Sequence, residues 1–143
     1  MNKVALKTIG FKEQKRVDDA WQQSQVEQQQ QTRSIPDVYI DGIERFRSID
    51  QDQASITEEL VDDENGMHYH QQVVFTVRTK YDRDLAKRFE RRPVVLHVWT
   101  VDGDHYVIGT KTYPAYLNPV KTKSRDTVES AFTVEYDTTT PVM

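Results

Sequence analysis

The sequence predicts a mainly β or α+β fold: a small antiparallel β-sandwich or barrel-like sheet with one short helix, preceded by a helical or extended N-terminal arm. Runs of β-branched and aromatic residues alternate with turn pairs such as Asn65-Gly66. Residues 81–92 change to a helical period. The chain also changes character near Ile35, because the segment before it is dominated by glutamine. We therefore divide the chain into an arm, residues 1–34, and a β-rich domain, residues 35–143.

The N-terminal arm carries very few apolar residues. Residues 1–10 fit a short strand or an extended segment, and residues 11–31 fit a helix with a narrow apolar stripe around Trp21. The interpretation that assigns no function to the arm is a flexible or frayed helix. Because tryptophan is a common interface anchor, we instead predict that the arm becomes ordered against a neighbouring subunit.

The first part of the β domain is predicted to contain two hairpins. They comprise residues 38–40 with 43–49, and residues 55–61 with 67–79. The pair Asn65-Gly66 readily adopts positive φ and favours a tight turn in the second hairpin. In its second strand, Val73, Phe75 and Val77 share one face because side chains alternate along a strand.

One short amphipathic helix is predicted over residues 81–92. Asp82 can cap its start, and Leu85 and Phe89 lie four residues apart on one face. Pro93 ends it. The C-terminal end is basic, which suits the helix dipole, and it contains Arg88, Arg91 and Arg92.

The strongest hairpin signal is the run 94–101, followed by Asp102-Gly103 and the run 104–109. Its first strand is apolar on both faces. Val94, Leu96 and Val98 lie on one face, and Val95, Trp99 and Val101 lie on the other. Such a strand is central in its sheet, or its second face meets another subunit. A proline-containing loop over 113–119 and a final strand near 128–136 follow.

Composition excludes several classes of function. The formal net charge of −4 argues against a protein that binds nucleic acid through general basicity. The absence of cysteine excludes disulfides, thiolate metal sites and thiol nucleophiles. No apolar run approaches the roughly 18–20 residues that span a bilayer, so we expect a soluble chain without a membrane partner. We predict no cofactor and no catalytic residue.

His68 and His70 form the one candidate metal site, because alternation places both imidazoles on one face of a strand. A metal would need a third ligand, for which His97, His105 and nearby carboxylates are the candidates. No spacing selects among them, so a polar strand edge facing solvent is the favoured interpretation. A metal bound there would favour an enzyme, the third-ranked hypothesis.

Candidate interface residues occur in the arm, on the second face of the two-sided strand and at the basic end of the helix. They are Trp21, Val95, Trp99, Val101, Arg88, Arg91 and Arg92. The arginines fit either a solvated face or a surface that pairs with acidic patches on an identical neighbour.

The order of a short helix, a two-sided hairpin, a proline-containing loop and a final strand resembles small tail and neck proteins of bacteriophages. Residues 94–110, then Tyr113-Pro114 and residues 124–132, are similar to structural proteins of Bacteroidetes phages and prophages, including crAss-like ones. The resemblance covers roughly the C-terminal half, and the glutamine-rich arm is not part of it.

This resemblance implies a virion component, assembled in the host bacterial cytoplasm, that forms a homo-oligomeric ring or tube segment around the DNA channel. Its partners would be copies of itself and neighbouring virion proteins, with DNA only passing through. The alternative is a monomeric ligand-binding or regulatory β module of bacterial origin. A concave pocket lined by Trp99, Tyr106 and Tyr113 would favour that alternative.

Overall fold

The computed structural model describes residues 2–14, 43–64, 66–110, 113–120 and 130–138. Within these ranges the chain forms a mainly antiparallel β-sheet, curled into a half-barrel, with a single short α-helix. The predicted fold class, with a barrel-like sheet and one short helix, is therefore confirmed.

Nine strands, one α-helix and a short 3-10 helix over Gln51–Gln53 make up the described fold. The strands are β1 Asn2–Glu13, β2 Glu44–Arg45, β3 Ser55–Asp63, β4 Gly66–Val77, β5 Pro93–Thr100, β6 His105–Ile108, β7 Ala115–Tyr116, β8 Asn118–Val120 and β9 Ser130–Thr138. The helix is α1 Lys80–Phe89. The strand order is β6-β5-β1-β3-β4-β9-β8, with β2 beside β1 and β7 beside β5.

The first residues of the predicted arm belong to the sheet. β1 pairs with β3 through residues 2–5 and with β5 through residues 6–13. Phe11 is fully buried opposite Leu96, so the helix predicted over residues 11–31 does not begin at residue 11. The remainder of that helix, Trp21 and the predicted boundary at residue 35 lie outside the described residues.

An irregularity in β1 explains why its alternation is hard to recognise in the sequence. The register with β5 shifts between Leu6 and Thr8. Leu6, Ile9 and Phe11 are consequently all buried, although Leu6 and Ile9 are three residues apart. A bulge that adds one residue to a strand reverses the facing of every residue beyond it.

The hairpin formed by β3 and β4 is confirmed. Asp63 lies opposite Gly66, whose φ of 93° suits a residue without a side chain. Val73, Phe75 and Val77 share the buried face as predicted. In the preceding predicted hairpin, residues 38–42 lie outside the described residues.

α1 begins differently from the prediction. Thr79 is the N-cap, and its hydroxyl oxygen accepts a hydrogen bond from the Asp82 backbone N–H at 3.2 Å. Asp82 is fully buried and accepts from the N–H groups of Arg47 and Ser48 at 2.7 Å and 2.8 Å. It therefore anchors a distant segment instead of capping its own helix.

A chain of phenylalanine rings connects the sheet with the helix. Phe11 contacts Phe89 of α1 at 4.8 Å between ring centroids and Phe46 at 5.7 Å. Phe46 in turn contacts Phe75 at 5.2 Å, and Phe75 stacks on Phe132 at 5.6 Å. Because these rings come from five separate segments, their burial ties the curled sheet together.

The segment 113–120, which we call the strap, touches both ends of the curled sheet. Its β7 pairs with β5 and its β8 pairs with β9. Between them Leu117 is fully buried, and its carbonyl accepts a hydrogen bond from the Arg91 N–H at 2.9 Å. The strap therefore holds the two sides of the half-barrel in a fixed relation.

Candidate functional site

The second face of β5 is largely covered within the chain. Val95 is fully buried, and Trp99 is only partly accessible. Val101 follows the end of β5 and is exposed. Of these three predicted interface residues, Val95 presents no surface to another subunit, because the strand is central and is covered on both faces.

A buried pair of imidazoles lies beside Trp99. His97 Nδ1 and His105 Nε2 are 2.9 Å apart, and the Trp99 ring stacks on His105 at 4.4 Å. The Arg45 guanidinium lies 4.6 Å from the Trp99 ring centroid. β2, which carries Arg45, can lie close to β1 because residue 10 is a glycine. A Cβ at Gly10 would lie 2.9 Å from the Glu44 carbonyl oxygen.

Burial and nearby positive charge keep both imidazoles neutral. Burial lowers the pKa of His97 well below 6.5, and His105, Lys12 and Arg45 lower it further. Burial, together with Arg45, lowers the pKa of His105 to about 4. The same cations oppose the binding of a metal ion, so we interpret this cluster as part of the core.

The β3–β4 hairpin is strongly acidic. Residues 55–77 contain no lysine or arginine, and their five carboxylates are Glu58, Glu59, Asp62, Asp63 and Glu64. β1 pairs with β3 only as far as Glu58, so in the described part of the chain the end of the hairpin projects beyond the pairing with β1. We call residues 59–64 and 66–67 the hairpin tip.

Two apolar side chains are exposed at the hairpin tip. Leu60 is 52% exposed and Met67 is 62% exposed, and alternation places them on the same face of the hairpin. Apolar groups within a charged rim are the usual composition of a protein–protein interface.

His68 and His70 lie on the opposite face of the hairpin, among carboxylates. His70 Nδ1 lies 2.8 Å from Asp137 Oδ1, and His68 Nε2 lies 3.6 Å from the same oxygen. His70 Nε2 also lies 3.7 Å from Glu135. No group of three or more histidine and carboxylate ligands is arranged to hold a metal ion in the described ranges. We therefore interpret the two histidines as partners of acidic side chains on β9.

The end of β4 opposite the hairpin tip is basic. Residues 78–92 contain seven basic and three acidic residues. Arg88, Arg91 and Arg92 are exposed there. The helix is predicted to extend to residue 92, but α1 ends at Phe89, so Arg91 and Arg92 follow it, and Arg91 has a positive φ of 61°. We call the exposed side chains of Lys87, Arg88, Arg91 and Arg92 the basic helix surface.

The hairpin tip and α1 are separated by the length of β4. This strand has 12 residues; its first two belong to the hairpin tip, and the helix follows its last. At about 3.3 Å per residue, a straight strand of that length spans roughly 36 Å. The domain therefore has oppositely charged surfaces that lie far apart.

A groove of about 650 Å³ lies between the strap and the end of β9. It is lined by His68, Thr110, Tyr113, Pro114, Tyr116, Glu135, Tyr136, Asp137 and Thr138. The Tyr136 hydroxyl donates to the Tyr113 carbonyl at 2.5 Å, and burial raises its pKa above 10.0. This bond fixes the strap against β9.

The groove differs from the pocket that the sequence suggested. Tyr113 lines it, whereas Trp99 lies in the imidazole cluster and Tyr106 is buried in the core. The tyrosines, the proline and the carboxylates of the groove are visible in the sequence. Their convergence is not, because it arises from the curl that brings the strap to β9.

These observations define a small antiparallel β domain with oppositely charged, widely separated surfaces and a tyrosine-lined groove. In comparisons with known proteins, no family model, curated protein or solved structure matches this chain. In the described residues, no helix has the length and apolar character required to cross a membrane.

Proposed function

We propose that this chain is a structural subunit that assembles head to tail with copies of itself. The observation that carries the proposal is the position of the acidic hairpin tip and the basic helix surface beyond opposite ends of β4. A contact between two different surfaces generates a ring if the rotation closes and a filament if it does not.

Charge complementarity supports this arrangement. A two-fold contact through the hairpin tip would place like charges together, whereas a head-to-tail contact places Asp62 and Asp63 near the arginines of a neighbour. Leu60 and Met67 would then lose water at the centre of the contact.

The resemblance to phage tail and neck proteins leads us to propose that the assembly is part of a virion. In a virion, such a subunit forms a ring or tube segment around the DNA channel and contacts neighbouring virion proteins. The net charge of −4 suits a channel wall that DNA passes without being bound. The N-terminal arm, with Trp21, is proposed to contact an adjacent subunit.

The particle mass in solution tests this function. Sedimentation velocity over a range of protein concentrations, at low and at high salt, reports both the assembly and its electrostatic component. We expect oligomers that dissociate as salt is raised, because exposed charge pairs are screened within a Debye length of about 8–10 Å at 0.1–0.15 M ionic strength. A monomer at high protein concentration and low salt, even with candidate virion partners supplied, would contradict the proposal.

The groove favours a second candidate, a monomeric ligand-binding or regulatory β module. Its volume of about 650 Å³ is in the usual range for ligand sites, and aromatic walls with a few polar groups are typical of them. Ligand binding by a monomer, with no concentration-dependent change in mass, would favour this function over assembly.

A further inference from the structure

We propose that the tyrosine-lined groove binds the cationic side chains of an extended segment of a partner protein. The groove is distinct from the hairpin tip and from the basic helix surface. Binding in the groove therefore does not depend on head-to-tail assembly.

Aromatic side chains form one wall of the groove. The Tyr113 side chain is exposed on the strap, and Tyr116 is partly exposed two residues after Pro114. The hydrogen bond from the Tyr136 hydroxyl to the Tyr113 carbonyl holds this wall in place. A guanidinium or ammonium group over an exposed tyrosine face gains roughly 0.5–1 kcal/mol.

Two carboxylates of β9, Glu135 and Asp137, also line the groove. Glu135 and Asp137 are 57% and 62% exposed, and no lysine or arginine of the described residues lines the groove. His70 Nδ1 lies 2.8 Å from Asp137, and the Gln72 side-chain amide donates to Glu135 at 3.4 Å, so both carboxylates are restricted. A groove that combines tyrosine rings with restrained carboxylates favours a cation over an anion or a neutral ligand.

The path of the backbone favours an extended ligand. In the described structure, β8 pairs with β9 only through residues 131–133, whereas Glu135, Tyr136 and Asp137 line the groove. This part of β9 therefore lies beside the aromatic wall, beyond its pairing with β8. An extended segment that lies along a strand edge presents alternate side chains to one wall, which is the geometry of peptide addition to a sheet.

Fluorescence anisotropy with a labelled Arg-Gly-Arg-Gly-Arg peptide tests the proposal on the full chain. We expect saturable binding that weakens with salt, and no binding of a matched Glu-Gly-Glu-Gly-Glu peptide. The double variant Glu135→Gln/Asp137→Asn and the variant Tyr113→Ala should each weaken binding by about three- to tenfold, in line with exposed ion pairs and cation–π contacts.

The controls are exposed residues of the same types outside the groove. Asp102→Asn and Tyr81→Ala should leave the affinity unchanged within about twofold, as expected for sites that share no partner with the groove. Thermal melts show whether each variant is folded. Glu135→Gln/Asp137→Asn keeps the volume of both side chains, so this variant removes the charges without changing the packing.

The proposal would be overturned by the absence of peptide binding at millimolar concentration, by equal binding of the acidic peptide, or by unchanged affinity in folded groove variants. Free arginine that competes as strongly per molecule as the peptide would also overturn it, because the groove would then bind a small cation and not an extended segment.

Discussion

His97 Nδ1 and His105 Nε2 lie 2.9 Å apart beneath the Trp99 ring, so one imidazole donates to the other and neither is charged. Burial lowers both pKa values, to about 4 for His105 and well below 6.5 for His97. In the unfolded chain both rings take up protons near pH 6.5. The pair is thus a source of acid sensitivity inside the sheet.

We predict that the free energy of unfolding decreases as the pH falls from 6.5 towards 4. The depressed pKa values contribute stability that is present above pH 6.5 and is lost in that window, because the unfolded state binds the extra protons. Each proton that the unfolded chain binds in excess of the folded chain lowers the free energy of unfolding by up to about 1.4 kcal/mol per unit fall in pH. Urea unfolding at several pH values measures this slope.

His105→Gln provides the comparison for the pH measurement, because it removes one titrating group. We expect a shallower slope in this variant than in the unmodified chain. Equal slopes in the two proteins would show that the imidazole pair does not determine the acid sensitivity.

The carboxylate of Asp82 should be essential for stability. Asp82→Ala leaves the N–H groups of Arg47 and Ser48 without their acceptor, and we expect a loss of about 2–4 kcal/mol. Asp84→Ala is the matched control, since Asp84 is exposed and pairs with Lys80 at 3.4 Å; its loss should be about 0.5 kcal/mol or less. Similar losses in both variants, measured by chemical denaturation, would contradict the role of Asp82.

Gly10 should not tolerate a side chain. A Cβ would lie 2.8 Å from Ile43 Cγ2 and 2.9 Å from the Glu44 carbonyl oxygen, so Gly10→Ala must push β2 away from β1. We expect a destabilisation of about 1–3 kcal/mol. The near-ultraviolet circular dichroism of Trp99 should also change, because Arg45 on β2 lies over that ring.

Gly103→Ala is the comparison for Gly10. Its Cβ would meet no atom within 4 Å, but its φ of 94° strains any side chain. We therefore expect a loss of about 1 kcal/mol without the Trp99 signal change. A Gly10→Ala protein with unchanged stability and spectrum would refute the close approach of β2.

Local patterns predicted much of this fold because the relevant signals are short-range. The turns at Gly66 and Gly103, the buried triplet Val73, Phe75 and Val77, and the pair Leu85 and Phe89 all follow from period and turn chemistry. Each requires only the residues that flank it in the chain.

The contacts that the sequence did not predict are long-range. The register shift near Leu6 conceals the alternation of β1, and Asp82 binds a segment 34–35 residues away in place of its own helix end. The groove likewise depends on the strap meeting β9. Such contacts follow from how the sheet curls, which no single segment encodes.

The charge reversal of each proposed contact surface tests head-to-tail assembly most directly. One variant carries Asp62→Lys, Asp63→Lys and Glu64→Lys at the hairpin tip, and the other carries Arg88→Glu, Arg91→Glu and Arg92→Glu on the basic helix surface. Lys3→Glu/Lys7→Glu, on exposed residues of β1, serves as the charge-change control.

Sedimentation velocity of each variant alone and of their equimolar mixture is the decisive measurement. Each charge-reversed protein has two surfaces of like charge, so we expect monomers alone and restored oligomers in the mixture, where every contact again joins opposite charges. The Lys3→Glu/Lys7→Glu control should assemble like the unmodified chain. Monomers in the mixture, or oligomers of either folded variant alone, would contradict the account.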